Sequence, residues 1–107
     1  MNNQPFKFDK NTTALFQAIL TLSSVKESEA FFRDLCTVEE IKDMSDRWQV
    51  VLLLQKGLSY RVIAEKLNTS TTTVARVAFW LENGRGGYKN MLKKLFHHHS
   101  NPRPGKV

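Results

Sequence analysis

Residues 59–84, SYRVIAEKLNTSTTTVARVAFWLENG, decide how this chain folds. Four threonines and a serine fall within positions 69–73, directly ahead of a segment with helical periodicity. Threonine is β-branched and a mediocre helix former, so a helix opened by a row of threonines points to a surface that needs short hydroxyls and methyls. Ser59 and Ser70 each stand where a side-chain oxygen can accept from the amides of a first helical turn. Ile63, Ala64 and Leu67 share one face of the first helix, and Val74, Val77, Ala78 and Leu81 one face of the second. Ala64 is small enough to let the helices cross closely. Asn68 stands at the turn, where asparagine is the best substitute for glycine in a left-handed conformation. The spacing predicts a helix-turn-helix, whose second helix enters a DNA major groove with its N-terminal residues on the base edges.

On a helical wheel Val74 and Leu81 centre the buried face of that second helix, and Thr72 and Arg76 lie opposite. Threonine methyls can pack on thymine methyls, threonine hydroxyls can bond base edges or phosphates, and Arg76 can reach a phosphate or a guanine. Ser70 caps the helix, while Thr71, Thr72 and Thr73 stay short so that it can sit deep. Capping and solvated surface would also account for the threonines alone, but here cap, alanine, turn and apolar spacing occur together. Lys66, Asn68 and Thr69 are candidates for phosphate contacts, with solvated turn residues as the alternative.

Helices are expected throughout, because no alternating strand pattern appears. The first should span about Asp9 to Leu22, with Leu15, Phe16, Ile19 and Leu22 at helical spacing. Ser24 with Glu27, and Thr37 with Glu40, form two capping boxes that open a second and a third helix. The third should end at Gly57. It carries Ile41, Met44, Trp48, Val51 and Leu52 on one side, with Val50, Leu53 and Leu54 extending the apolar surface. A helix apolar on most sides needs cover on most sides, and in so small a chain a second copy can supply it; a central position in a monomeric bundle is the other solution. After the turn NGRGG a last helix, about Tyr88 to Phe96, sets Tyr88, Met91, Leu92, Leu95 and Phe96 against a lysine-rich face.

A length of 107 residues with 41% apolar content supports one domain: a flexible 1–8, a helical 9–96 and a loose basic tail over 97–107. No apolar run reaches the length of a membrane span, and MNNQPFKFDK has no apolar stretch of signal-peptide length, so the expected compartment is the cytoplasm. Cys36 is alone and reads as a small half-buried residue of a reducing compartment. All ten acidic residues lie at or before Glu82, balanced there by ten Lys and Arg. The net +6 therefore comes from Arg85, Lys89, Lys93, Lys94, Arg103 and Lys106, a cationic end that either attracts nucleic acid or only solvates the chain. No phosphate loop, Cys-His-Asp set or spaced carboxylate pair argues for an enzyme. His97, His98 and His99 are adjacent and cannot all turn toward one metal, which fits a tag remnant or a loose metal contact better than a site. Neither a metal nor a cofactor is expected. A protein-interaction scaffold and non-specific nucleic-acid binding are the competing functional readings.

From LCTVEEIKDMSDRW through GLSYRVIAEKLNTSTTTVAR, the chain resembles the tryptophan repressor family, in particular its short bacterial repressor-like branch. The resemblance covers about Leu35 to Leu95. It implies an all-α fold of about six helices, an interlocked homodimer whose helix-turn-helix reading heads bind double-stranded DNA to regulate transcription. It also implies that Arg61 matches an arginine that reaches guanine. The family's indole pocket uses a threonine and an arginine of the long helix, plus an arginine and the following glycine of the reading helix. Thr37, Arg47 and Arg76 match, but Val77 replaces the glycine and should obstruct the ring. Trp80 stands where the family has a small polar residue, so Trp80 or Phe79 could occupy the equivalent space or simply pack at the subunit boundary. Control by tryptophan is not expected, and whether another small-molecule effector acts there is left open.

Overall fold

A computed structural model describes residues 6–97 of the chain. The expectations for 1–5, for the histidines at 98 and 99 and for most of the basic tail fall outside the described residues. Six α-helices follow in order: α1 (Lys10–Ile19), α2 (Val25–Leu35), α3 (Val38–Gln55), α4 (Tyr60–Leu67), α5 (Thr71–Asn83) and α6 (Gly87–Leu92). The fold is all-α. Contacts divide the chain into one body up to Ile41 and a second from Lys42.

In the first body, local side-chain chemistry sets the helix ends. Asp9 accepts from the Thr12 amide at 2.9 Å while the Thr12 hydroxyl accepts from the Asp9 amide at 2.8 Å, closing a reciprocal cap on α1. That helix stops at Ile19 rather than Leu22. The Thr21 and Leu22 amides turn to the carbonyls three residues back, and the Thr21 hydroxyl takes the Ala18 carbonyl at 2.7 Å. Ser24 accepts from the Glu27 amide at 3.0 Å, and the Glu27 carboxylate reaches past the cap to the Ser23 amide at 2.9 Å. The Thr37–Glu40 box is reciprocal at 3.0 and 2.9 Å. Neither α1 nor α2 buries a side chain. The half-buried Cys36 closes α2 in extended conformation.

The second body has a core of Val50 and Val51 from α3, Ile63 and Ala64 from α4, and Val74 and Val77 from α5, with Trp48, Leu53, Leu54, Leu58, Leu67, Leu81, Tyr88 and Leu92 packed around it. Fully burying each valine or isoleucine is worth about 1.5–3 kcal/mol, and the small volumes let three helices meet closely. Val50 and Val51 are the fully buried residues of α3, while Met44 remains exposed. The burial centre is thus shifted from the expected face toward Val50. Gly57, at φ +87°, ends α3: its amide bonds the Leu54 carbonyl at 2.9 Å and the Leu58 amide the Leu53 carbonyl at 3.3 Å. The last helix is shorter than expected. Beyond Leu92 the backbone widens into a π turn over Lys93–His97; of the expected apolar face only Tyr88 and Leu92 pack on the core, while Met91, Leu95 and Phe96 are exposed.

Candidate nucleic-acid interface

Helices α4 and α5 build the site, and the short link between them fixes its geometry. Ser59 accepts from the Val62 amide at 3.2 Å, so α4 begins immediately after the glycine turn. At its far end Asn68 adopts φ 54°, ψ 51°, the left-handed conformation that the sequence asks of it. Its amide bonds the Glu65 carbonyl at 3.3 Å and the Thr69 amide the Ala64 carbonyl at 2.9 Å, satisfying two carbonyls that the helix end would otherwise orphan. Ala64 is only 6% exposed, where the helices pack. Ser70 then opens α5 by accepting from the Thr73 amide at 3.1 Å.

The threonine row divides. Thr71 and Thr72 are exposed, whereas Thr73 is half-buried with its hydroxyl 3.0 Å from that of Ser70. Ser70 and Thr73 therefore serve the start of the helix, and Thr71 and Thr72 face outward with Arg76. Among the described residues, no carboxylate lies within ion-pair distance of Arg76. Arg61, on the exposed side of α4, lies 3.4 Å from Glu65 one turn on, a solvent-open pair of small net value. Lys66 and Asn68 are exposed and Thr69 is half-buried.

An open cleft of about 610 Å³ runs between α3 and α5. Asp43, Asp46 and Arg47 line it from α3, Thr69 from the turn, Thr73, Arg76, Val77 and Trp80 from α5, and Tyr88 from α6. Four of the five residues expected for an effector pocket, Arg47, Arg76, Val77 and Trp80, are thus brought together. Thr37 belongs to the first body, where it caps α3. Val77 is 3% exposed and closes the inner wall as part of the core. Trp80 takes a place in the cleft, but Phe79 does not. Sequence reasoning missed Asp43, Asp46 and Tyr88. Asp43, Asp46 and Arg47 stand at i, i+3 and i+4, a spacing that could have placed them on one helix face. Asp46 is held by Lys42 at 2.8 Å, and this hydrogen bond, then its charge, raises the Lys42 pKa above the ordinary lysine value. Tyr88 lies with its ring 6.2 Å from that of Trp48, tying α6 to α3.

Among the described residues no group of three His, Cys, Asp or Glu side chains could hold a metal ion, and no helix is long and apolar enough to cross a membrane.

Residues 10–96 match the Trp repressor protein family. The chain is 35% identical over 86 residues to the YerC protein of Bacillus subtilis, covering 80% of this chain and 83% of that one. It is 33% identical to a Trp operon repressor homolog of Chlamydia trachomatis, over 74% of this chain and 89% of the relative. A solved structure of a TrpR like protein from Eubacterium eligens aligns at a TM-score of 0.78 and 39% identity, over 81% of this chain and 90% of that chain. With α4, its left-handed turn and α5 arranged as a helix-turn-helix, the chain belongs to the Trp repressor family, at whose level it is a DNA-binding regulator.

Proposed function

We propose that this protein is a cytoplasmic, homodimeric, sequence-specific regulator of transcription, a repressor in its mode of action, whose working domain is residues 9–96. One observation carries the reading: Thr71, Thr72 and Arg76 stand exposed on α5 while Val74 and Val77, on the opposite side, anchor it in the core. Thr71 and Thr72 meet base edges, Arg76 a guanine or a phosphate, and Arg61 a guanine from the first motif helix. Ser70 and Thr73 hold the tip in shape and stay close enough to offer hydroxyls to the backbone. Lys66, Asn68 and Thr69 contact phosphates. Dimerisation is supported by α1 and α2, amphipathic helices that bury nothing within their own chain.

Tryptophan does not control this regulator. Val77 adds a branched side chain at the wall where the family keeps a glycine, and Trp80 stands in the same cleft. The space an indole would take is reduced and the reading head is already braced through Val77. Calorimetry with L-tryptophan is expected to give no heat of binding; micromolar affinity would overturn this part of the reading.

Selection of bound duplexes from a random pool tests the function as a whole. A pseudo-palindromic consensus whose binding persists as salt rises is expected. Affinity that collapses alike for every duplex would reduce the protein to a non-specific polycation.

A further inference from the structure

Thr72, Arg76, Phe79 and Asn83 follow one another at i, i+4, i+7 and i+11 along α5, and all four are exposed. That spacing sets them in one line along the helix. Three are polar; the exception is Phe79, with 55% of its surface open to solvent. The Phe79 and Trp80 rings meet edge to face at 5.2 Å, but only Trp80 lines the cleft. Asn83 donates through Nδ2 to the Phe79 carbonyl at 3.0 Å, so its amide closes the helix end. Along this line Phe79 is the one apolar side chain, and its ring has no polar group for water or for the helix to bond.

Helical side chains lean toward the N-terminus, so this ring covers the turn before its own Cα. There it flanks Ala75, which offers only a methyl, and Arg76, both exposed. We propose that Phe79 is a specificity determinant of the reading head, packing against a thymine 5-methyl group at the outer edge of the site contacted by Thr72 and Arg76. The proposal rests on α5 reading DNA, as argued above. Thymine alone presents an apolar group in the major groove, and phenylalanine is among the side chains that meet it. Continuity with the outward face singles out DNA as the occupant. A guanidinium and a phenyl ring one turn apart find phosphate or guanine for the first and a methyl for the second on the same groove wall. Seven residues at 1.5 Å place Phe79 about 10 Å beyond Thr72 along the axis, so the thymine lies within about three base-pair steps of the position Thr72 reads.

Selection from a random duplex pool with the wild-type chain and with Phe79→Ala, followed by single thymine-to-uracil replacements in the wild-type consensus, tests this. The wild type is expected to select an outer thymine that the variant does not. Removing that methyl should weaken wild-type binding about fourfold, the value of one buried methyl group, and leave the variant unchanged. Specific binding in which no outer thymine is selected, or in which both proteins lose affinity equally, overturns the role of Phe79 and leaves the DNA reading standing. Loss of dimerisation by Phe79→Ala in sedimentation assigns the ring to the subunit boundary and also overturns it. If the wild type selects no consensus at all, the DNA reading itself fails.

Discussion

Asn68 holds the two motif helices at their angle, and it does so with a backbone conformation that most residues resist. It is the one non-glycine among the described residues with positive φ. Asn68→Ala is therefore expected to lower stability by about 1–2 kcal/mol, and Asn68→Gly to change it little. Urea unfolding of the two variants side by side checks this; equal losses would mean that the asparagine side chain, rather than its φ, carries the turn. Arg61 is a different case, because its partner Glu65 is exposed and weakly held. Arg61→Ala should relax preference at a single guanine and cost about 1–3 kcal/mol of specific binding. Glu65→Gln should instead tighten binding to every duplex, since it removes a negative charge beside phosphates. Uniform loss from Arg61→Ala across all sequences would demote the arginine to a phosphate contact.

Caps rather than a deep core set the ends of several helices, and the cap at the start of α1 is tied to pH. The Thr12 amide, and then the Thr12 hydroxyl, hold the Asp9 carboxyl below the ordinary aspartate range. A group whose folded pKa is depressed stabilises above its unfolded pKa and loses that contribution as pH falls through the folded value. The start of α1 should therefore hold at neutral pH and fray only in acid. Hydrogen exchange at the Thr12 amide should accelerate there relative to mid-helix amides, and Asp9→Asn should remove the pH dependence. The Asp9–Thr12 cap, closed by a threonine, was not read, whereas the Ser24–Glu27 and Thr37–Glu40 caps were legible because Ser or Thr followed three residues later by Glu is a local signal. The same holds for Asn68 and Gly57, where local chemistry demands an unusual φ. Less legible were properties set by neighbours distant in sequence. Val50 became the centre of α3 because α4 and α5 pack on that side, which the broad apolar surface of α3 could not single out. The end of α1 at Ile19 depended on Thr21 finding the Ala18 carbonyl, and the pairing of the Thr73 hydroxyl with Ser70 depended on a rotamer that the wheel, which set Thr72 outward, does not specify. Arg47, Arg76, Val77 and Trp80 were placed in the cleft through the family resemblance, and Tyr88 was missed because its place depends on the turn before α6.

For the molecule as a whole, the decisive quantity is apolar surface left in water by a single chain. Leu20 is 82% exposed and Val25 76%, and Phe16 and Leu35 keep nearly half of their surface open, all in or at the end of helices that bury no side chain of their own. At about 25 cal/mol per Å² of apolar area, covering such side chains drives association, and a small domain gains a larger share of its stability this way than a large one. If a second copy supplies the cover, folding and dimerisation are one equilibrium, and mass action makes the melting temperature depend on protein concentration. For two chains of this length, unfolding entropy near 2.1 cal/mol/K per residue converts each tenfold rise in concentration into an increase of about 3 °C. Calorimetric melts over a hundredfold concentration range, with sedimentation at each end, measure it. A midpoint that stays fixed while the chain sediments as a monomer would leave the reading head without the twofold partner that a palindromic site requires.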